Sequence, residues 1–463
     1  MMGFEFAQYV NNYLQQNGLA TRTISKIDSN PAKSKHLETA TTKLFDQEID
    51  FCNLRTEVYT EDSRIPAEVT FGTPTEDAYR RDTTINSLFY NINTNSVEDF
   101  TNQGLSDLTK GLIRTPLEPY ETFRDDPLRV LRCIRFASRF GFEMVAELSE
   151  AAKCETIRDA LVNKISKERI GTEIEKMLNG PSPLLSMKLI HQYGLYSTVF
   201  EPPKNISHSP MDAYQAVRAV GAVKWFIMDN LDNQEYQQLL QQKFIRNNNN
   251  INYLLRQVEN DDERHTLYLG AALLPYLNIT VELKKKTSPA VELIIRDSLK
   301  LKNQIINTIN TLFRGINIFK EASNHHHYTQ NNISRSELGM IIRDIGALWK
   351  TSLKLALIDD LISLDIDWEH PDQLDINFKD AEHIISKYSS LLHQAKSYGI
   401  EDSHTWKPII DGKKATQLLG LKPGPVVQEL LKTTMIWQFE NPQGSVDECA
   451  TMLKNYWDNK QQS

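Results

Sequence analysis

The 463 residues carry 52 Lys and Arg against 60 Asp and Glu, a formal charge of −8, with 40% apolar and 24% charged residues. Length and composition suit a globular protein of two to four domains. The negative balance counts against a protein that coats nucleic acid non-specifically, since phosphate binding is driven by Lys and Arg, but leaves room for a local basic groove. Cys52, Cys133, Cys154 and Cys449 are too sparse for a disulfide scaffold and show no paired metal-ligand spacing. No stretch approaches the roughly 18 apolar residues of a bilayer span, and the N-terminus has neither a signal-peptide core nor a transit pattern. No membrane partner and no targeting address are therefore expected.

The pattern from Phe4 to Leu14 predicts a helix, with Phe4, Ala7, Tyr9, Val10 and Leu14 near helical spacing. Phe45 to Tyr59 alternates and is rich in aromatic and branched residues, which predicts a strand, with Ala67 to Phe71 as its partner. Thr73-Pro74-Thr75-Glu76 reads as a capping box, with Thr73 as N-cap, Pro74 in the first helical position and Glu76 at the third. The helix it opens is expected to carry Arg80-Arg81-Asp82-Thr83-Thr84-Ile85-Asn86. Beyond Gly104 nearly everything reads as helical, with helices expected at Asp125 to Phe140, Lys167 to Leu178, Ser186 to Tyr193 and onward to Trp457. Asn247 to Asn250 and His325-His326-His327 read as loops, because three adjacent histidines in a regular element cannot converge on one metal. No His-Asp dipeptide occurs, which argues against an appended phosphohydrolase domain.

Two segments carry chemistry. On the first expected helix Asp82 and Asn86 are four residues apart and share a face. A carboxylate and an amide side by side suit a ribose, and Arg80 and Arg81 could reach phosphates. The plainer reading is a solvated helix with a surface ion pair. The second segment is Asp125-Asp126-Pro127-Leu128-Arg129-Val130-Leu131-Arg132-Cys133-Ile134-Arg135-Phe136. Asp126 and Arg129 are three apart, Arg132 and Arg135 continue in steps of three, and Pro127 suits a first turn. Cytosine and adenine each show an amino donor beside a ring-nitrogen acceptor, so one Asp-Arg pair could read both. Uracil and guanine present a carbonyl and a ring N–H instead, leaving buried polar groups unpaired at roughly 1–3 kcal/mol each. The plainer reading is a structural Asp-Arg network over Leu128, Leu131 and Ile134.

Between the two lies Asp107-x-x-x-Gly111-x-x-Arg114, and downstream come Ser166-Lys167-Glu168-Arg169-Ile170 with Glu173. The C-terminal part holds Pro408-Ile409-Ile410-Asp411-Gly412, Gly420-Leu421-Lys422-Pro423-Gly424-Pro425 and Trp437-Gln438. In order, these segments resemble motifs B, C, D and E and the tail of class II tRNA nucleotidyltransferases, the CCA-adding enzymes, of the fungal type.

The resemblance implies an α+β fold: a nucleotidyltransferase head of the DNA polymerase beta superfamily followed by a predominantly α-helical neck, body and tail. The corresponding expected divisions are 1–105, 106–200, 201–330 and 331–463. It implies template-independent addition of CCA to the 3′ end of tRNA from CTP and ATP, with pyrophosphate released and Mg²⁺ as cofactor. In this reading Asp126 and Arg129 select the base, while Arg80, Arg81, Asp82 and Asn86 hold ribose and phosphate. Arg132 and Arg135 hold phosphates. Asp107, Gly111 and Arg114 form a hinge, and Lys167, Glu168, Arg169 and Glu173 stabilise the neck. Asp50, in Ile49-Asp50-Phe51-Cys52-Asn53-Leu54-Arg55, matches the third metal carboxylate.

The family's Asp-x-Asp pair is expected just before the helix starting near Phe4, with the Gly-Gly strand-loop further upstream, and neither is found before Arg80. The resemblance thus implies a head truncated at its start and little or no activity for this exact chain. In the tail, Lys413, Lys414, Gly420, Lys422 and Gly424 would hold tRNA, partly through backbone N–H groups at the helix after Pro425; the alternative is a tight inter-helix turn. A monomer is expected, in mitochondrion, cytoplasm and nucleus. The rivals are a poly(A) polymerase of the same class and a non-catalytic RNA-binding derivative.

Overall fold

The computed structural model describes residues 1–27, 38–60, 63–203, 212–226, 255, 257–283, 286–329, 332–370, 379–422 and 424–462. The asparagine run at 247–250 lies outside them. The chain forms two compact units, Met1–Glu201 with Asp297–Lys300, and Pro202–Arg296 with Leu301–Ser463.

The first unit opens with helix α1 (Gly3–Gln16), as its spacing predicts. The helix packs on a three-stranded antiparallel sheet of β1 (Ile24–Ile27), β2 (Thr39–Leu44) and β3 (Gln47–Cys52). The approach is close enough to require glycine: a Cβ on Gly3 would sit 2.1 Å from the Phe51 carbonyl oxygen. Next to it the Phe6 ring meets Phe51 edge-on at 5.1 Å.

The single strand expected from Phe45 to Tyr59 is not there. Phe45 and Asp46 take φ of 50° and 61° and form the two-residue turn that joins β2 to β3, a conformation matched to the twist of a hairpin. The chain leaves the strand again at Asn53 and Leu54, and β4 (Arg55–Thr60) then pairs with β5 (Ser63–Phe71). Alternation misleads here because Phe45, counted as a strand aromatic, is 90% exposed at a turn. The expected partner strand does fall within β5.

Helix α2 (Pro74–Tyr79) begins at the predicted capping box: Glu76 N–H donates to Thr73 Oγ at 3.3 Å, and Thr73 N–H to the Glu76 carboxylate at 2.7 Å. It ends sooner than expected, so Asp82 lies in the turn after the helix and Asn86 in the 3₁₀ segment Ile85–Ser87 that follows. A hairpin of β6 (Phe89–Asn91) and β7 (Ser96–Glu98) follows, then α3 (Gly104–Lys110) and β8 (Leu112–Ile113). The helix expected over Asp125 to Phe140 is likewise two helices, α4 (Pro119–Asp125) and α5 (Leu128–Phe140). Asp126 between them is extended, with φ −135° and ψ 98°. The ring of Pro127 is the reason, since it disfavours helical geometry in the residue before it.

Strand β9 (Glu143–Met144) pairs in parallel with β8. Then come α6 (Ala146–Ala152), α7 (Glu155–Lys164), α8 (Lys167–Leu178), α9 (Pro183–Gln192) and α10 (Tyr196–Val199). Helix α8 matches its predicted bounds. It presses so closely on the 297–300 segment that a Cβ on Gly171 would stand 1.9 Å from the Leu299 carbonyl oxygen.

The second unit is almost wholly helical. It comprises α11 (Ala213–Phe226), α12 (Asp261–Leu273), a hairpin of β10 (Thr280–Leu283) and β11 (Lys286–Pro289), α13 (Ala290–Leu293), α14 (Asn303–Thr329), α15 (Arg335–Ile345), α16 (Trp349–Leu361), α17 (Lys379–Ser397), α18 (Gly412–Leu419), α19 (Val426–Glu440) and α20 (Val446–Gln462). The backbone of His325-His326-His327 continues α14 and does not form a loop. Once a helix is nucleated, adding residues of middling propensity costs little.

Helix α16 is buried on nearly every side, through Trp349, Leu353, Leu355, Leu357 and Ile358. Its one buried cation, Lys354, donates to the Glu263 carboxylate and to the Gln257 carbonyl, each at 2.6 Å. The last three helices close over Ile410, Ala415, Leu430, Cys449 and Leu453. Among the described residues no helix is long and apolar enough to cross a membrane.

Candidate nucleotide-binding site

The first motif is organised by a residue outside the expected set. Asp77, 1% exposed, sits three and four residues before the two arginines and accepts from both. Arg80 donates from Nε at 2.9 Å, and Arg81 donates from Nε at 3.0 Å and Nη2 at 2.7 Å. The Arg55 backbone N–H adds a bond at 3.1 Å. Burial alone would raise the Asp77 carboxyl, but the hydrogen bonds from Arg81 and Arg80 outweigh it and hold the group below the usual carboxylate range. Arg80 also donates to Glu57 at 3.2 Å. Arg81 donates to the Asn86 carbonyl at 2.9 Å and lies over the Phe89 ring. The signal for Asp77 was present in the sequence as carboxylate-to-arginine spacings of three and four.

Although Asp82 and Asn86 do not share a helix, the turn brings them together, with Asn86 Nδ2 donating to Asp82 Oδ1 at 2.9 Å. Thr83 N–H donates to the same oxygen at 3.0 Å, and Arg132 Nε to the other at 2.5 Å. Burial disfavours the charge on Arg132, and the Asp82 carboxylate more than compensates, so its guanidinium is held more firmly protonated than usual. Burial also pushes the Cys133 thiol up, which leaves it an inert core thiol beneath this contact.

The second motif differs from its expected pairing. Asp126 does not stand on α5 with Arg129. It accepts from the fork of Arg169, at 2.8 Å on Oδ2 and 3.5 Å on Oδ1, and from the Leu128 N–H at 3.2 Å. Arg129, buried in the first turn of α5, donates to the Arg80 carbonyl at 2.7 Å and to the Thr122 carbonyl at 3.4 Å. Arg135 turns toward the neck, where its Nε donates to Glu173 at 2.5 Å. Asp125, also passed over in the sequence, ends α4 with its carboxyl raised by burial.

The remaining expected residues surround this core. Asp107 accepts from Thr84 Oγ at 2.8 Å and pairs with Arg114 at 3.3 Å, and Gly111 ends α3 at φ +69°. Lys167 pairs with Glu201 at 2.5 Å, while Glu168 is exposed in the first turn of α8. Asp50 is exposed on β3 and accepts from Thr41 Oγ at 2.6 Å. Among the described residues no three His, Cys, Asp or Glu side chains gather as a metal site. Asp50 alone therefore does not make the described residues fit a two-metal centre.

Two family models match the chain, the poly A polymerase head domain over residues 1–114 and the probable RNA and SrmB-binding site of polymerase A over 146–205. The chain is 38% identical to the mitochondrial CCA tRNA nucleotidyltransferase of Candida glabrata, covering 98% of this chain and 85% of that one. The chain belongs to the tRNA nucleotidyltransferase family. The mitochondrial CCA tRNA nucleotidyltransferase of Saccharomyces cerevisiae is 37% identical over 98% of this chain and 83% of its own. In fold, the chain resembles the Bacillus stearothermophilus CCA-adding enzyme in complex with CTP, with a TM-score of 0.56 at 17% identity over 92% and 82% of the two chains.

In the tail, Asp411 caps α18 by accepting the Lys414 N–H at 2.8 Å, and Gly420 ends that helix at φ +66°. Lys413, Lys414 and Lys422 are exposed, as are Gly420 and Gly424. The helix expected from Val426 to Leu431 runs on as α19 to Glu440.

Proposed function

We propose that this protein adds CCA to the 3′ end of tRNA from CTP and ATP, releasing pyrophosphate, with protein side chains serving as the template. The observation that carries the reading is the contact of Arg132 with Asp82, which joins the two motifs into one surface. Asp126 offers acceptors to the amino group of cytosine or adenine, and Arg129 offers donors to the ring nitrogen. Asp82 holds Asn86 and Arg132 beside each other, the pairing of amide and guanidinium that a ribose hydroxyl and a phosphate would meet. Arg80 and Arg81 complete the positive lining, both steadied by Asp77, while Arg135, expected on phosphates, is paired with Glu173 toward the neck. The hinge role of Asp107, Gly111 and Arg114 and the neck role of Lys167, Glu168, Arg169 and Glu173 belong to the same proposal.

Mg²⁺ is the metal ion this reading expects, with Asp50 as the one carboxylate assigned to it. The exposed tail lysines suit contact with tRNA phosphates, a recognition by backbone and shape. A monomer acting in mitochondrion, cytoplasm and nucleus is part of the proposal, as is the division into head, neck, body and tail.

The test is incorporation of labelled CTP and ATP into tRNA lacking its CCA end, using this chain beside an N-terminally extended form. Addition of C before A by either form supports the proposal. Runs of A alone would favour a poly(A) polymerase. No incorporation by both, with tRNA still bound, would favour the non-catalytic RNA-binding derivative.

A further inference from the structure

An Asp and an Arg three residues apart on a helix ordinarily neutralise each other. A pair that reads a base must not, because acceptor and donor have to meet the base edge side by side. The chain separates them in two ways. Pro127 keeps Asp126 extended and outside α5, while Arg129 lies inside its first turn. Each then has partners of its own: Arg169 and the Leu128 N–H for Asp126, the Arg80 and Thr122 carbonyls for Arg129.

We propose that Arg169 is a specificity-determining positioning residue, which fixes the Asp126 carboxylate as a base-edge acceptor and thereby sets the choice of C and A over U and G. The inference rests on the reading that Asp126 meets the base. A two-pronged guanidinium fixes the plane of a carboxylate, which a point charge does not. A carboxylate has about four acceptor positions, and the bonds from Arg169 and Leu128 take three, leaving one on Oδ2 for an amino group. Arg169 is itself held from behind. Its helix lies against the Leu299 backbone at Gly171.

The experiment is equilibrium binding of CTP, ATP, UTP and GTP to the full chain and to R169K, R169Q, D126N and E173Q. The wild type is expected to prefer CTP and ATP. R169K and R169Q should narrow that preference by about tenfold, equivalent to about 1.4 kcal/mol, and D126N should abolish it. E173Q, which removes the other charge pair between α8 and α5, should lower stability and leave the preference in place. Full preference in R169K and R169Q with loss in D126N overturns the inference and leaves the base-reading assignment standing. An equal loss in E173Q, or failure of both Arg169 variants to fold, makes Arg169 a structural residue and also overturns it. A wild type without preference, or a D126N that keeps it, removes the base-reading assignment itself.

Discussion

Arg132 on α5 donates from Nε to Asp82 Oδ2 at 2.5 Å, across fifty residues of chain. Asp82 is buried, and its other oxygen holds Asn86. One carboxylate thus couples the two arms of the candidate site, and their substitutions should not be independent. R132Q and D82N are each expected to weaken CTP binding about tenfold, with the double variant no worse than the weaker single, a coupling of about 1–2 kcal/mol. A double-mutant cycle read by equilibrium binding checks this, and additive losses would show that the contact does not couple the motifs.

Arg135 and Glu173 are both buried, with side chains 10% and 4% exposed. Removing one partner strands a charge, and E173A is expected to cost about 3–5 kcal/mol of stability, whereas E173L with R135L recovers much of it. Urea unfolding of the three proteins measures this. A decrease below about 1 kcal/mol in E173A would mean that water reaches the pair, as at an exposed site.

Asp77 gives a pH dependence of definite sign. Its carboxyl is depressed in the folded chain, so its contribution is fully present above the unfolded value of about 3.9 and is lost as pH falls through the lower folded value. D77N removes that contribution at pH 7 and should flatten the decline in stability below pH 4. Unfolding curves at pH 7 and pH 3 for both proteins decide it; parallel declines would contradict the assignment.

The tail lysines should act on tRNA and not on nucleotide choice. Charge reversal at Lys413, Lys414 and Lys422 is expected to weaken tRNA binding and to reduce the salt slope by about 1 for each phosphate that a lysine no longer meets. Titrations at several salt concentrations test it, with an unchanged slope as the contrary result.

What the sequence made legible was local. The bounds of α8 and the cap at Thr73 follow from neighbouring residues. Two boundaries failed because single residues overrode a pattern: Pro127 breaks the helix at Asp126, and Phe45 takes a turn conformation inside an apparent strand. The contacts that define the site were beyond reach for another reason. Asp126 with Arg169, and Arg135 with Glu173, lie 43 and 38 residues apart, and no spacing rule connects residues on separate helices. Asp77 is the opposite case, a short-range signal carried by its spacings of three and four to the arginines it holds.

In the proposed function side chains, and no nucleic-acid strand, dictate which nucleotide is added. The most direct measurement supplies CTP, ATP, UTP and GTP singly and together to tRNA lacking CCA and reads the order of addition by sequencing the product ends. The expected product carries two C residues, then one A, then arrest, with U and G left unused. Continued runs of A, or U and G entering as readily as C, would contradict it.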